Sequence, residues 1–239
     1  MDRFTLQSLN EARRQRQAAI LITNLASGVV RLVRENDVDL DLMVEPTLAE
    51  ILPQRFRSAH SGLVQTPEGD EFFLTVHVPP PRLVIIGAVH ISQALAPMAR
   101  IAGLDVTIID PRTAFATPER FANVALLAEW PEDALKGIPL DAFTAVAALT
   151  HDPKIDDLPL QAALAANCFY VGALGSRKTH AKRLERLQAT GVSGADAARI
   201  RAPIGLAIGA QSPAEIAVSV LAEIIDSLRK RGLTTPGGA

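Results

Sequence analysis

Leu83-Val84-Ile85-Ile86-Gly87-Ala88-Val89-His90 is the stretch on which the fold turns. A continuous apolar run that ends in glycine reads as a strand buried on both faces, followed by a sharp turn. Apolar residues then recur at Ile91, Leu95, Met98 and Ile101, the spacing of a helix with one buried face. A second apolar run, Val106-Thr107-Ile108-Ile109, ends at Asp110, 23 residues past Gly87. Strand, glycine turn, helix, strand and acid, in that order, is how a Rossmann unit holds a nucleotide. The second glycine of such a unit lets the backbone approach a pyrophosphate, and here that position is Val89. The stretch therefore predicts the fold while weakening the case for a dinucleotide.

Downstream the same alternation continues. Strands are predicted at 82–86, 105–109, 124–127, 144–149, 169–171 and 204–206. Helices are predicted at 90–102, 177–189 and 213–230, with shorter ones near 118–122, 131–136 and 157–166. The fold class is α/β: a Rossmann-like, mostly parallel sheet with helices on both faces. Ser212-Pro213-Ala214-Glu215 has the capping box and first-turn proline of a helix start, and Thr117-Pro118-Glu119 repeats the cap and proline. Upstream, Pro79-Pro80-Pro81 forms a stiff connector that neither a helix nor a central strand accepts. It divides a small α+β N-terminal domain, 1–79, from the Rossmann-like domain, 80–239. In the former we expect a polar helix over 6–17, strands at 19–23 and 29–33, a helix over 46–56, and a hairpin of 62–64 with 72–78.

Composition narrows the classes. The chain of 239 residues is 48% hydrophobic and 21% charged, with no apolar run long enough to span a membrane, and reads as a soluble globular protein. Its start lacks an apolar signal-peptide core, so export by that route is not expected and a cytoplasmic location is. A net charge of −2 gives no global attraction to nucleic acid. One cysteine, Cys168, excludes an internal disulfide.

In a parallel sheet, chemistry gathers in loops at the carboxyl ends of strands, and four loops carry candidates. At Gly87-Ala88-Val89-His90, His90 opens a helix and either faces a ligand or caps the loop. Thr150-His151-Asp152-Pro153-Lys154-Ile155-Asp156-Asp157 holds one histidine, three aspartates and a lysine, with His151, Asp152 and Lys154 as polar-ligand contacts. The plainer reading has Asp152 and Asp157 capping turns and a helix. No second cluster of metal-ligand residues accompanies this loop, so no metal site is expected. Tyr170-Val171-Gly172-Ala173-Leu174-Gly175-Ser176-Arg177-Lys178-Thr179-His180 frees the backbone at Gly172 and Gly175 and leads into a helix capped by Ser176. Arg177, Lys178, Lys182 and Arg183 crowd that helix start, where cations oppose the dipole unless an anion sits among them. The alternative is a solvated basic face with Ala181, Leu184 and Leu187 packing inward. Finally, Gly205 and Gly209 bracket a short apolar segment before a capped helix, for an oxyanion or for close packing.

His151-Asp152-Pro153-Lys154, Tyr170-Val171-Gly172-Ala173-Leu174-Gly175-Ser176-Arg177 and Ala202-Pro203-Ile204-Gly205-Leu206 through Ile208-Gly209-Ala210 together resemble the Rossmann domain of the xanthine dehydrogenase accessory (XdhC/CoxI) family, over about residues 82–229. The resemblance implies a cytoplasmic accessory protein that binds molybdenum cofactor and assists its insertion into xanthine dehydrogenase-type hydroxylases. A homodimer and, as a further partner, a sulfurtransferase are also expected. Where the family opens Gly-Ala-Gly-His, this chain has Val89, and where the family reads Gly-Leu-Asp-Ile-Gly it has Ala207. The family's glycine-rich N-terminal segment with a cysteine is not found in residues 1–80.

A molybdopterin carries a phosphate and a flat polar pterin. The basic helix start at Ser176 to Arg183 suits the phosphate, and the Thr150 to Asp157 loop can hydrogen-bond the pterin. The leading expectation is a cofactor-binding chaperone with no turnover of its own. The rivals are an NAD(P)-dependent oxidoreductase, with Asp110 on the ribose and His151 as acid-base, and a protein that serves only to dock a partner.

Overall fold

The structure, a computed structural model, describes residues 1–37 and 44–231; residues 232–239 of the second expected domain lie outside it. It divides into two compact units, one of Met1–Pro79 with Arg229 to Arg231, the other of Pro80–Leu228.

The first unit is built on a four-stranded antiparallel sheet. Its strands β1 (Ala19–Asn24), β2 (Val30–Arg34), β3 (Gly62–Gln65) and β4 (Glu71–His77) lie in the order β2-β1-β4-β3. Helix α1 (Arg3–Arg14) starts because the Asp2 carboxylate accepts the Thr5 N–H at 2.8 Å, and it buries Leu9 and Ala12 against Ala19 and Leu21. Helix α2 (Pro46–Ser58) begins on a first-turn proline and buries Leu48, Leu52 and Phe56. Arg231 joins this unit through its guanidinium, 3.2 Å from the Glu35 carboxylate.

The second unit is a six-stranded parallel sheet of β5 (Arg82–Ile86), β6 (Asp105–Ile109), β7 (Ala125–Leu127), β8 (Thr144–Ala148), β9 (Tyr170–Ala173) and β10 (Ile200–Arg201), in the order β10-β9-β8-β5-β6-β7. The period-two pleat sorts its side chains onto two faces. Leu83, Ile85, Ala145 and Ala147 pack with Leu95 and Ala99 of α3 (His90–Ile101) and Val220 and Ile224 of α8 (Pro213–Lys230). Val84, Ile86, Val146 and Ala148 pack on the other side with Ala134 of α4 (Pro131–Gly137), Leu160 and Leu164 of α5 (Pro153–Ala165), and Leu187 of α6 (Arg177–Ala189). A one-turn helix, α7 (Gly194–Ala197), precedes β10. Alanines at 145, 147 and 148 let the helices approach the sheet closely.

Three local expectations are corrected. Residues 204–206 form no strand. The sixth strand is Ile200–Arg201, pairing with Val171 and Gly172, and the chain then leaves the sheet at Pro203, which has no N–H to give a ladder. Thr117-Pro118-Glu119 starts no helix. The bonds Arg120 N–H to Thr117 O and Phe121 N–H to Pro118 O make successive turns, and Asn123 at φ 63° ends them. Helix α5 opens four residues earlier than expected, because Asp152 caps it by accepting the Lys154 N–H at 3.0 Å. That last shift moves Asp156 out of a loop and onto the first turn of a helix.

Candidate functional site

Two places at the carboxyl edge of the parallel sheet carry the residues expected to function. The first is the Gly87 turn, between β5 and α3. Gly87 lies at φ +114°, and a Cβ there would stand 2.8 Å from Thr150 Cγ2, so the turn is pressed against the loop after β8. Its N–H donates to Ile109 O at 2.8 Å, and Ser92 Oγ donates to its carbonyl. Asp110 is fully buried. Its Oδ2 accepts the Ala88 N–H at 2.7 Å and Arg112 Nη2 at 2.8 Å, while its Oδ1 accepts the Arg112 N–H and Nε, each at 2.9 Å. Four bonds fill the acceptor capacity of a carboxylate. Burial alone would raise this carboxyl, but the bonds from Arg112 and Ala88 outweigh it and hold it below the ordinary range. Arg120 closes the turn from outside, donating to Ala88 O at 3.1 Å, Phe115 O at 2.7 Å and Gln93 Oε1 at 3.1 Å.

Asp110 is thus an internal brace with nothing left for a ribose hydroxyl, which corrects its expected place as a nucleotide ligand. His90 is exposed at the first position of α3 and does not line the cleft described next.

The second place is a cleft of about 320 Å³ between the starts of α5 and α6. From the α5 side it is lined by His151, Pro153, Asp156 and Asp157, and from α6 by Lys178, Thr179, Lys182, Arg183 and Arg186. His151 is exposed at φ +64°, placed by the tight turn that Asp152 then caps. Ser176 caps α6, its Oγ accepting the Thr179 N–H at 3.2 Å. Arg186 donates to the Asp157 carboxylate from α6 to α5, through Nε at 2.6 Å and Nη2 at 2.9 Å. Lys178, Lys182 and Arg183 form no ion pair among the described residues, so the cleft keeps a surplus of positive charge at a helix start. Asp156 and Arg183 are both buried; Arg183 Nη2 donates to Leu174 O at 2.9 Å, and the Thr150 hydroxyl donates to Asp156 Oδ1 at 2.7 Å.

The structure therefore gathers His151, Lys178, Lys182 and Arg183 but spreads the other candidates. Asp152 and Ser176 act as helix caps, Lys154 and Arg177 are exposed away from the cleft lining, and Gly175 precedes the α6 cap. Gly172 is buried, where a Cβ would meet Tyr170 Oη at 2.6 Å and Ile204 Cδ1 at 2.8 Å. Gly205, at φ +90°, gives its N–H to Glu223 at 2.8 Å, and a Cβ there would lie 3.0 Å from Val220 N. Both are packing glycines, while Gly209 is exposed with open space around it. The inward face of α6 also differs from the expected one: Arg183 and Leu187 are buried, and Ala181 is exposed.

Of the charged lining residues, Asp156, Asp157 and Arg186 escaped the candidate set. The available signal was Asp152-Pro153, a cap followed by a first-turn proline, which places Asp156 one turn into a helix.

Comparison with known proteins agrees with this architecture. The XdhC Rossmann domain matches residues 83–224. The chain is 36% identical over 157 residues to the uncharacterized protein YqeB of Escherichia coli (strain K12), covering 64% of this chain and 28% of YqeB. It is 36% identical over 155 residues to a protein of Bacillus subtilis (strain 168) described as a probable subunit of xanthine dehydrogenase, covering 64% and 44% of the two chains. It is 36% identical over 143 residues to the molybdenum cofactor insertion chaperone PaoD of Escherichia coli (strain K12), covering 60% and 39%. It thus spans less than half the length of each of these relatives. In structure it is similar to a crystal structure described as a xanthine dehydrogenase from Bacillus halodurans, with a TM-score of 0.66 and 21% identity over 95% of this chain and 67% of that one. With the domain match running from the strand before Gly87 into the last long helix, this chain belongs to the XdhC family, which the XdhC Rossmann domain defines.

Proposed function

We propose that this chain is an accessory protein that holds molybdenum cofactor in the α5–α6 cleft for insertion into a xanthine dehydrogenase-type hydroxylase. The observation that carries the reading is the surplus of cationic donors at the start of α6, with Lys178, Lys182 and the buried Arg183 facing one cleft. Phosphate is the natural partner of such an arrangement, since helix amides, dipole and cations all favour it. The names of the relatives in Bacillus subtilis and of PaoD support the same class of role. At the Gly87 turn, by contrast, the fourfold occupation of Asp110 argues against NAD(P).

The lone thiol, Cys168, is buried and pushed up to about 12 by that burial, so it offers no thiolate for carrying sulfur. In this reading, sulfuration of the cofactor falls to a separate sulfurtransferase. No helix among the described residues is long and apolar enough to cross a membrane, and we place the protein in the cytoplasm with its client.

The test is anaerobic gel filtration of the full chain with cofactor released from a donor molybdoenzyme, beside melting curves with NADH. The cofactor should co-elute, and Lys178→Ala with Lys182→Ala should weaken retention by about ten-fold or more. A melting shift with NADH and no retained cofactor would reverse the reading.

A further inference from the structure

Two buried charged side chains face the α5–α6 cleft with hydrogen-bonding capacity unused. Asp156 is 1% exposed and Arg183 2%. Asp156 Oδ1 is engaged by Thr150, but its Oδ2 has no partner; Arg183 Nη2 is engaged by Leu174, but its Nε and Nη1 have none. Burying a charge without satisfying its bonds is costly, and a leucine at either position would be the cheap solution for a purely structural helix. Burial pushes the Asp156 carboxyl up to about 6 and Arg183 down from its ordinary value. Their mutual attraction opposes both shifts and cancels neither, so the two are not a self-sufficient pair. Two different helices thus place a buried, unpartnered acceptor and buried, unpartnered charged donors on residues that line one cleft.

We propose that Asp156 and Arg183 read two ends of one ligand: Arg183, with Lys178 and Lys182, takes a phosphate monoester, and Asp156 accepts the N–H edge of a 2-amino-4-oxopyrimidine ring attached to it. This rests on the cofactor-holding reading and names the feature that sets its selectivity. A bare phosphate would meet repulsion from the Asp156 carboxylate, and a ring edge made of acceptors would set lone pair against lone pair. An amine beside a ring N–H supplies the donors that Oδ2 lacks. Pterins and guanine share this edge. A cleft of about 320 Å³ is at the small end of ligand pockets, in keeping with one heterocycle and one phosphate. Thr150 acts as a positioning residue, its hydroxyl fixing Oδ1 and so the direction in which Oδ2 points.

Calorimetric titration of the full chain tests this with four probes: a pterin phosphomonoester, its lumazine counterpart (oxygen in place of the 2-amino group), guanosine monophosphate and inorganic phosphate. The unaltered protein should bind the pterin compound about ten-fold or more tightly than the lumazine compound, the loss expected when a charged hydrogen bond becomes a repulsion. Asp156→Asn should erase that preference while leaving inorganic phosphate bound as well or better. Guanosine monophosphate binding above the lumazine compound also supports the edge reading, and its ratio to the pterin identifies the ring source. Equal affinity for pterin and lumazine phosphates would overturn the proposal without any variant, as would a folded Asp156→Asn protein that keeps the preference. If all phosphate-bearing probes bind equally through Lys178 and Lys182, only this inference fails. If none binds, the cofactor-holding reading fails with it.

Discussion

The Gly87 turn and the α5–α6 cleft sit on the same edge of one sheet and treat their charges in opposite ways. At Gly87, the charged groups are matched: Asp110 accepts four bonds, and Arg120 spreads its guanidinium over two carbonyls and a side-chain amide. Between α5 and α6, Asp156 and Arg183 are buried just as deeply and retain unmatched atoms. A finished network lends rigidity, whereas an unfinished one costs stability and leaves room for a ligand to complete it. Here the turn that resembles a nucleotide site is scaffold, and the place with unmatched polar atoms is the neighbouring cleft.

The largest expected effect lies on the scaffold side. Asp110→Asn leaves Arg112 without its carboxylate, and we expect a loss of roughly 3–5 kcal/mol in urea unfolding, with phosphate binding to the remaining folded protein unchanged. Because folding lowers the Asp110 pKa, its contribution is present above the unfolded carboxylate range and lost as pH falls through the folded value. The wild-type advantage over the variant should therefore shrink in acid; an advantage that grows there would break the assignment.

Next in size, Gly205→Ala forces a Cβ toward Val220 N from φ +90° and should cost roughly 2–4 kcal/mol. Gly209→Ala, in open space, should cost only about 1 kcal/mol. Equal costs at the two glycines would show that packing does not separate them.

Opposite in sign is Asp156→Asn. With the folded carboxyl near 6 and its ordinary value at 3.8, the folded state holds the proton more tightly. Asp156 therefore costs nothing below the unfolded pKa and costs progressively more as pH rises to about 6. The variant should gain roughly 1–3 kcal/mol over wild type at pH 7.5 and little at pH 4. A destabilised variant at both pH values would make Asp156 part of the scaffold and dissolve the contrast.

The smallest effect is expected for Val89→Gly. Glycine is tolerated at a helix cap, so stability should move by less than about 0.5 kcal/mol. Restoring this glycine should not bring NAD binding, because Asp110 remains fully occupied. A melting shift with NADH in this variant would show that Val89 alone had closed the site.

The sequence made β5, α3 and β6 legible because their apolar residues carry the burial pattern outright: Leu83 to Ile86 are buried, and so are Ile91, Leu95, Ile108 and Ile109. It misled at the cleft, where polar density from Thr150 to Asp157 looked like a loop although Asp152 and Pro153 already open α5. Arg183 was legible as a cation near a helix start, but not as a buried one, since its position on the inner face of α6 depends on what α5 brings opposite. Asp110 shows the converse limit. Its spacing from Gly87 matches a nucleotide ligand, and only the three-dimensional position of Arg112 reveals that its oxygens are spent.

The claim that the unmatched bonding capacity lies between α5 and α6 is tested most directly by amide chemical shifts of the full chain titrated with a pterin phosphomonoester. The account predicts perturbations concentrated in Thr150 to Asp157 and Ser176 to Arg183, with Gly87 to Ser92 and Asp110 to Arg112 unmoved. Perturbations centred on the Gly87 turn, with α6 silent, would contradict it.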